Sequence, residues 1–322
     1  MRTDSSELAT GTAMSAVDTA LESAAAIVRR ALAEPVRRPA VRSFFDPATN
    51  TVTHLVRDPA SRSCAIVDPV LDFDPASGRT STASAARVVD AVRDDGLEVG
   101  WLLETHVHAD HLSASTWLRE AVGGRTAIGD GVRAVQRSFG TLFGAGEDFA
   151  RDGSQFDRLF ADGDTFAIGS LEAIALHVPG HTPACLAYVI GDAVFPGDTM
   201  FMPDYGTARC DFPGGDAATL YRSIRRLLAL PAETRMFLCH DYKAPGRDAF
   251  AWETTVAAER DNVHLRSSAD EASFVAMREA RDATLPVPRL LLPSVQVNMR
   301  GGRLPAAEAN GIRYLKLPLD AL

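Results

Sequence analysis

The hydrophobic pattern changes its period along the chain. Residues 13–33 are alanine-rich and place Val17, Leu21, Ala24, Ala25 and Val28 near one face, which predicts an amphipathic helix ended before Pro35. From Ser43 the texture shifts to short apolar runs. Residues 52–56 and 64–67 read as strands joined by a hairpin through Asp58-Pro59-Ala60-Ser61. Residues 83–93 predict a helix capped by Thr82, and 99–104 a buried strand. Ser113 is placed to cap a helix over 114–122 that Gly123-Gly124 breaks. Further strands are predicted at 126–128, 165–168, 171–178, 185–190, 193–195 and 236–239, with a helix at 217–230. Strands and helices alternate in blocks without a strict βαβ rhythm. That order predicts an α/β protein of two packed sheets with helices outside, rather than a doubly wound parallel sheet. Residues 1–40 stand apart as an N-terminal helical extension, and 41–322 form the main domain. Its tail after Leu285 is rich in Pro, Arg and Gly, but apolar runs at 290–292 and 314–317 predict that it packs.

Composition narrows the partners. A chain of 322 residues, 46% of them hydrophobic, can bury a large core. Its net charge of -9 disfavours a phosphate backbone as partner, because such binding needs a basic surface to release counterions. The four cysteines, Cys64, Cys185, Cys210 and Cys239, form no CxxC pair and no dense framework, which fits a reducing cytoplasm. No apolar run approaches the ~20 residues that span a bilayer, so no membrane partner is expected. Arg29, Arg30, Arg37 and Arg38 give the N-terminus some presequence character. Asp4, Glu7, Asp18, Glu22 and Glu34 interrupt it, and a retained helix is the preferred reading.

The candidate chemistry lies in the histidines. Five of the eight, His106, His108, His111, His181 and His240, fall at or just past the ends of predicted strands. Thr105-His106-Val107-His108-Ala109-Asp110-His111 has the spacing of a metal centre: in extended chain His106 and His108 project to one side, while Asp110 and His111 turn towards a neighbouring position. His181 sits in Pro179-Gly180-His181-Thr182-Pro183, where glycine allows a tight turn and two prolines fix the loop. Asp198 in Pro196-Gly197-Asp198-Thr199 supplies a carboxylate able to bridge two metals or complete one site. His240 in Cys239-His240-Asp241 adds a last imidazole. His54, His177 and His264 lack ligand spacing and read as structural or exposed.

This set resembles the metallo-β-lactamase superfamily from about residue 43 onward. The resemblance implies an αββα sandwich of two mixed sheets flanked by helices, with Asp68 as the family's structural aspartate. The segments from Glu104 to His111, Gly180 to Cys185, Gly197-Asp198, Arg209-Cys210-Asp211-Phe212, His240-Asp241-Tyr242 and Val297-Asn298-Met299-Arg300 are similar to the persulfide (sulfur) dioxygenases. Asp204-Tyr205-Gly206-Thr207 and the stretch from Tyr242 to Arg247 look closest to the bacterial branch called β-lactamase-like hydrolases. Two positions depart from the pattern: Ala184 stands where relatives often have Gly, and Cys210 where others carry Thr.

The resemblance implies one Fe(II) per chain held by His106, His181 and Asp198, a two-histidine, one-carboxylate triad with open coordination positions. His108, Asp110, His111 and His240 would orient those ligands and waters, or hold a second metal. The implied reaction is O2-dependent oxidation of glutathione persulfide, or a related small persulfide, to sulfite and thiol. Arg209 and Tyr242 are the expected catalytic and substrate-contacting groups, with Lys243 and Arg247 gripping glutathione carboxylates. A dimer or tetramer is expected. Two other readings stand beside this one. A glyoxalase-II-like thioesterase would use the same ligands for two zinc ions and an activated hydroxide. A scaffold or sulfide-signalling protein would keep a metal for stability alone.

Overall fold

The computed structural model describes residues 11–321, with backbone only for residues 11–18. Positions called at residues 1–10, and the side chains of Val17 and Asp18, lie outside the described residues. Two six-stranded sheets pack face to face. The first has the order β1 (Ala40–Asp46), β2 (Thr51–Arg57), β3 (Ser63–Val67), β6 (Glu98–Leu103), β8 (Arg125–Gly129) and β9 (Arg158–Phe160). The second runs β10 (Thr165–Ile168), β11 (Leu171–His177), β12 (Leu186–Ile190), β13 (Ala193–Phe195), β14 (Arg235–Phe237) and β15 (Glu253–Thr255). Both are mixed: β3, β6, β8 and β9 run parallel, as do β13 and β14, and the remaining neighbours pair antiparallel. A small sheet of β5 (Arg79–Ser81), β4 (Val70–Asp74) and β7 (Leu112–Ser113) flanks the first.

Alternation along each strand explains the layers. Ala65, Val67, Trp101, Leu103, Leu171, Ala173, Leu186 and Tyr188 fill the space between the sheets. Their neighbours Cys64, Ile66 and Leu102 face outward against α2 (Ala83–Asp94) and α3 (Ser115–Val122). On the other side Ile174, Leu176, Ala187 and Val189 meet α1 (Gly11–Ala33) and α5 (Ala217–Leu227). Strands buried on both faces read as continuous apolar runs, and period two sends successive residues to different cores. The αββα sandwich is therefore the observed architecture.

The first helix is a correction to the sequence reading. Ala20, Ala24, Ala25, Ile27 and Val28 of α1 share one core with β11, β12 and α5, so the described part of residues 1–40 forms a layer of the sandwich rather than an appendage. Burial of Ile27 and Val28 alone is worth roughly 1.5–3 kcal/mol each. The helix 217–230 ends at Leu227, and strand 236–239 ends at Phe237. Thr82 makes no side-chain cap, and Ala114 rather than Ser113 is the N-cap residue of α3. Ser113 belongs to β7; its hydroxyl donates to Glu104 and accepts from the Ser115 amide at 3.1 Å.

Several elements were not anticipated. They include β1, α4 (Val132–Leu142), α6 (Val256–Glu259), α7 (Val263–Arg266), α8 (Glu271–Asp282) and α9 (Leu291–Asn298). The tail packs as expected through Gln296, whose amide oxygen accepts from Lys316 N at 2.8 Å and whose Nε2 donates to Lys316 O at 2.9 Å. Leu317 and Leu319 beyond it are exposed.

Candidate metal centre

Four strand ends of the two sheets deliver the site. Residue 104 leaves β6 and the chain turns through His106, His108, Asp110 and His111 before β7. Asp68, directly after β3, adopts φ 50°, a left-handed conformation that costs about 1 kcal/mol or more for a residue with a side chain. Its carboxylate holds the turn in return: Oδ1 accepts from Thr105 N at 2.7 Å and from His108 Nε2 at 2.9 Å, and Oδ2 accepts from Thr105 Oγ1 at 2.8 Å. From the opposite side Asn298, at the end of α9, donates from Nδ2 to the carbonyls of His108 and His111, both at 2.8 Å. Its Oδ1 accepts from Ser113 N at 2.7 Å.

The other ligands follow β11, β13 and β14. Gly180 at φ 140° passes so close to α5 that a Cβ would lie 2.4 Å from Leu220 N, and this approach aims His181 inward. Gly197 at φ 54° likewise leaves no room for a Cβ beside Thr105, and it turns Asp198 into the site. His240 lies past β14, where Thr51 pairs with it as an isolated bridge.

The imidazoles of His106, His181 and His240 each direct one ring N–H away from the cluster. His181 Nδ1 donates to Arg209 O at 2.8 Å, and His240 Nδ1 to Asn50 O at 3.1 Å. Thr105 Oγ1, already a donor to Asp68, accepts from His106 Nδ1 at 3.1 Å. His111 Nδ1 meets Asp110 Oδ2 at 3.1 Å. The opposite nitrogens, Nε2 of His106, His111 and His240 and Nδ1 of His108, are buried and make no hydrogen bond. Buried lone pairs without a donor are costly, and a cation is the partner that suits all of them. The residues present therefore fit a metal.

Six of the donors lie in two adjacent groups. His106, His181 and Asp198 bring ligand atoms within 4.8 Å of one another, as do His108, Asp110 and His240. Asp198 stands between them. Its Oδ2 is 3.5 Å from His181 Nε2 and 3.9 Å from His106 Nε2, and its Oδ1 is 3.3 Å from His240 Nε2. Cys239 Sγ donates to the same Oδ1 at 2.8 Å. Burial and the neighbouring imidazoles of His108 and His181 hold His106 well below the ordinary histidine pKa, so its lone pair stays available. For His108 burial works against charge, but Asp68 and Glu104 together raise its pKa well above the usual value. His54, His177 and His264 lie outside these groups. His54 bonds Ser43 and Leu238, His177 bonds Pro183, and His264 accepts from Thr207 N.

A cavity of about 280 Å³ opens over Asp198, His181 and Asp110. Tyr242 lines it, and its hydroxyl makes no hydrogen bond among the described residues. Tyr242 is 39% exposed, but desolvation on the cavity wall, with Asp110 and Asp198 nearby, raises its hydroxyl pKa well above the ordinary tyrosine value. Arg209 lines it as well. Its Nε and Nη2 donate to Asp211 at 2.6 Å and its Nη1 to Pro286 O at 2.7 Å, which leaves two N–H groups uncommitted. Lys243 and Arg247 do not line this cavity. Lys243 Nζ lies over the Phe250 ring at 4.5 Å, and all five N–H groups of Arg247 go to Asp204, Asp241 and Ala249 O. Their expected grip on a substrate carboxylate is therefore not supported by the geometry. The sequence reading also missed Arg281, which lines the cavity from α8 without an ion pair among the described residues. No motif marked it, because α8 was not anticipated. Cys210, the departure beside Arg209, is a buried thiol whose pKa burial raises.

Inward-facing imidazole lone pairs on the strand ends of an αββα sandwich, beneath an open cavity, define a metal-dependent enzyme. The chain belongs to the metallo-beta-lactamase superfamily, whose family model matches residues 47–240. A probable metallo-hydrolase of Burkholderia pseudomallei is 60% identical over 88% of this chain and 99% of its own length. A beta-lactamase hydrolase-like protein of Agrobacterium fabrum is 53% identical over 88% of this chain and 65% of its own, and glyoxylase B2 of Dictyostelium discoideum is 48% identical over 88% and 97%. Human mitochondrial persulfide dioxygenase ETHE1 is more distant, at 29% over 81% and 88%. The crystal structure of ETHE1 from Myxococcus xanthus superposes with a TM-score of 0.65 at 30% identity, covering 82% of this chain and all of that one. Among the described residues no helix is long and apolar enough to cross a membrane.

Proposed function

We propose that the chain is a persulfide dioxygenase that converts glutathione persulfide, or a related small persulfide, with O2 and water to sulfite and the thiol. The observation that carries this reading is the cluster of His106, His181 and Asp198, of which His181 and Asp198 line the main cavity beside a free Tyr242 hydroxyl, Arg209 and Arg281. Two histidines and one carboxylate suit Fe(II), which when bound supplies the one-electron chemistry that lets O2 react with a sulfur anion. The likeness to ETHE1 in sequence and fold supports the same assignment.

The chain's own groups divide the remaining work. Arg209 O and Thr105 Oγ1 fix the tautomers of His181 and His106, and the Cys239 thiol holds the Asp198 carboxylate. Tyr242, kept protonated, donates a hydrogen bond to the anionic sulfur or to a sulfur-bound oxygen of the product. Arg209 and Arg281 receive the carboxylates of the thiol carrier, while Phe201, Phe212 and Leu285 exclude water beside its carbon chain.

A dinuclear zinc thioesterase is the second reading. The trio His108, Asp110 and His240 favours it, as do the names metallo-hydrolase and glyoxylase among the relatives. Anaerobic purification, counting of iron and zinc, and measurement of O2 uptake and sulfite with glutathione persulfide separate the two. Iron near one per chain with O2-dependent sulfite supports the dioxygenase. Two zinc ions, hydrolysis of S-lactoylglutathione and no O2 uptake would overturn it.

A further inference from the structure

Behind His181 lies a second, smaller cavity of about 20 Å³. It is lined by Val107, Val135, Phe139, Leu291 and Val295, all of them buried, and it shares Ala109, His181 and Phe212 with the main cavity. One small molecule fits, since roughly 10–15 Å³ is enough for a water. Water is nonetheless a poor occupant, because it needs two to four polar partners. The side-chain polar groups on the wall are already engaged: Thr182 Oγ1 contacts Cys185 Sγ at 3.1 Å and accepts from Ala184 N at 3.2 Å, and His181 Nδ1 donates to Arg209 O.

The position of this cavity matters as much as its polarity. Phe212 stands edge-on to His181, with ring centroids 5.0 Å apart at 89°, and lines both spaces. The Arg209 guanidinium lies over the Phe212 ring at 5.3 Å and lines the main cavity but not the small one, so the main cavity carries a cation where the small one is apolar. Thr182, Phe212 and Pro213 are the less buried members of the wall, Pro213 being exposed. An anionic substrate seated over Asp198 fills the main cavity and blocks that approach to the site. The apolar space then remains beside His181, between Val135, Phe139 and Val295.

We infer that this cavity is a binding and entry site for a small apolar gas, namely the O2 consumed in the reaction, separate from the persulfide route. The inference rests on the dioxygenase reading. Crystals of the iron-loaded protein under xenon pressure test it directly, because xenon reports an apolar gas site whatever the enzyme catalyses. A xenon peak is expected between Val135 and Val295, lost in Val295→Phe and stronger in Val135→Ala. At saturating persulfide, Val295→Phe is expected to raise the KM for O2 several-fold, with the KM for persulfide and kcat at saturating O2 unchanged. Val135→Ile, which adds one methylene, serves if the larger residue prevents folding, and the same shift in weaker form is expected. Absence of xenon in the parent protein, or an unchanged KM for O2 in a folded filling variant, overturns the gas site while persulfide-dependent O2 uptake still stands. A parent protein that takes up no O2 with persulfide overturns the underlying reading itself.

Discussion

Asn298 offers a quantitative test of how the metal loop is held. Its side chain is 4% exposed and makes three hydrogen bonds, two to the carbonyls of His108 and His111 and one from Ser113 N. Asn298→Ala leaves two buried carbonyls and one buried N–H without their partner. Each orphaned group costs ~1–3 kcal/mol, and water entering the space recovers part of this, so a loss of about 3–5 kcal/mol is expected. Gln296, two residues earlier on α9, is the control. It is 3% exposed and its side chain also makes three hydrogen bonds, to Leu292 O, Lys316 O and Lys316 N, but these pin the tail rather than the loop. Urea unfolding of both metal-free variants should show similar falls in stability with an unchanged slope. Metal titration should separate them: Asn298→Ala weakens binding by about 10–100-fold, as lost support of a ligand does, whereas Gln296→Ala leaves affinity unchanged. Equal metal affinity in the two variants, or an Asn298→Ala stability within roughly 0.5 kcal/mol of the parent, would refute the clamp.

Four further outcomes are expected. Asp198→Ala and His181→Ala should abolish iron retention while His240→Ala keeps it with altered turnover, checked by metal analysis; loss of all iron in His240→Ala refutes that division. Arg281→Ala should raise the KM for an anionic persulfide roughly tenfold, the worth of one charge-assisted contact, with little change in kcat. Gly180→Ala should lower stability by roughly 2 kcal/mol or more through backbone strain and contact with Leu220, read as a fall in Tm. His264 has its pKa lowered to about 4 by burial, with Arg278 and Arg281 adding to it. Because the folded value lies below the unfolded one near 6.5, its contribution is present above that pH. It is lost as pH falls towards 4, by at most about 3 kcal/mol. His264→Gln should flatten the pH dependence of stability in that window, and an unchanged profile would count against the assignment.

Local pattern pointed to the two-sheet architecture and to the candidate metal donors. Strands such as Leu171–His177 are apolar on both faces, and the spacing of His106, His108, Asp110 and His111 is a property of a short stretch of chain. Both signals are local and survive without knowledge of the fold. Short strands such as Leu112–Ser113 carry too little periodicity to read, and α9 follows Pro286 and Pro288, breakers that obscure the helical period there.

Only the tertiary structure decided what joins the site from afar. Residues 185–190 positions apart in sequence meet where Asn298 holds His108, His111 and Ser113, and the resemblance at Val297-Asn298-Met299-Arg300 gave no hint of that contact. Arg209 and Arg247 look equally suited to a carboxylate in sequence. Folding brings Asp204 and Asp241 around Arg247 and consumes its donors, while Arg209 keeps two free on the cavity wall. The first helix, alanine-rich and polar on one side, becomes a layer of the sandwich because β11 and β12 leave an apolar face that Ala24, Ile27 and Val28 cover. Residue type and spacing set which chemistry is possible. Burial and hydrogen-bond partners, which depend on the whole fold, set which of those groups remain free to perform it.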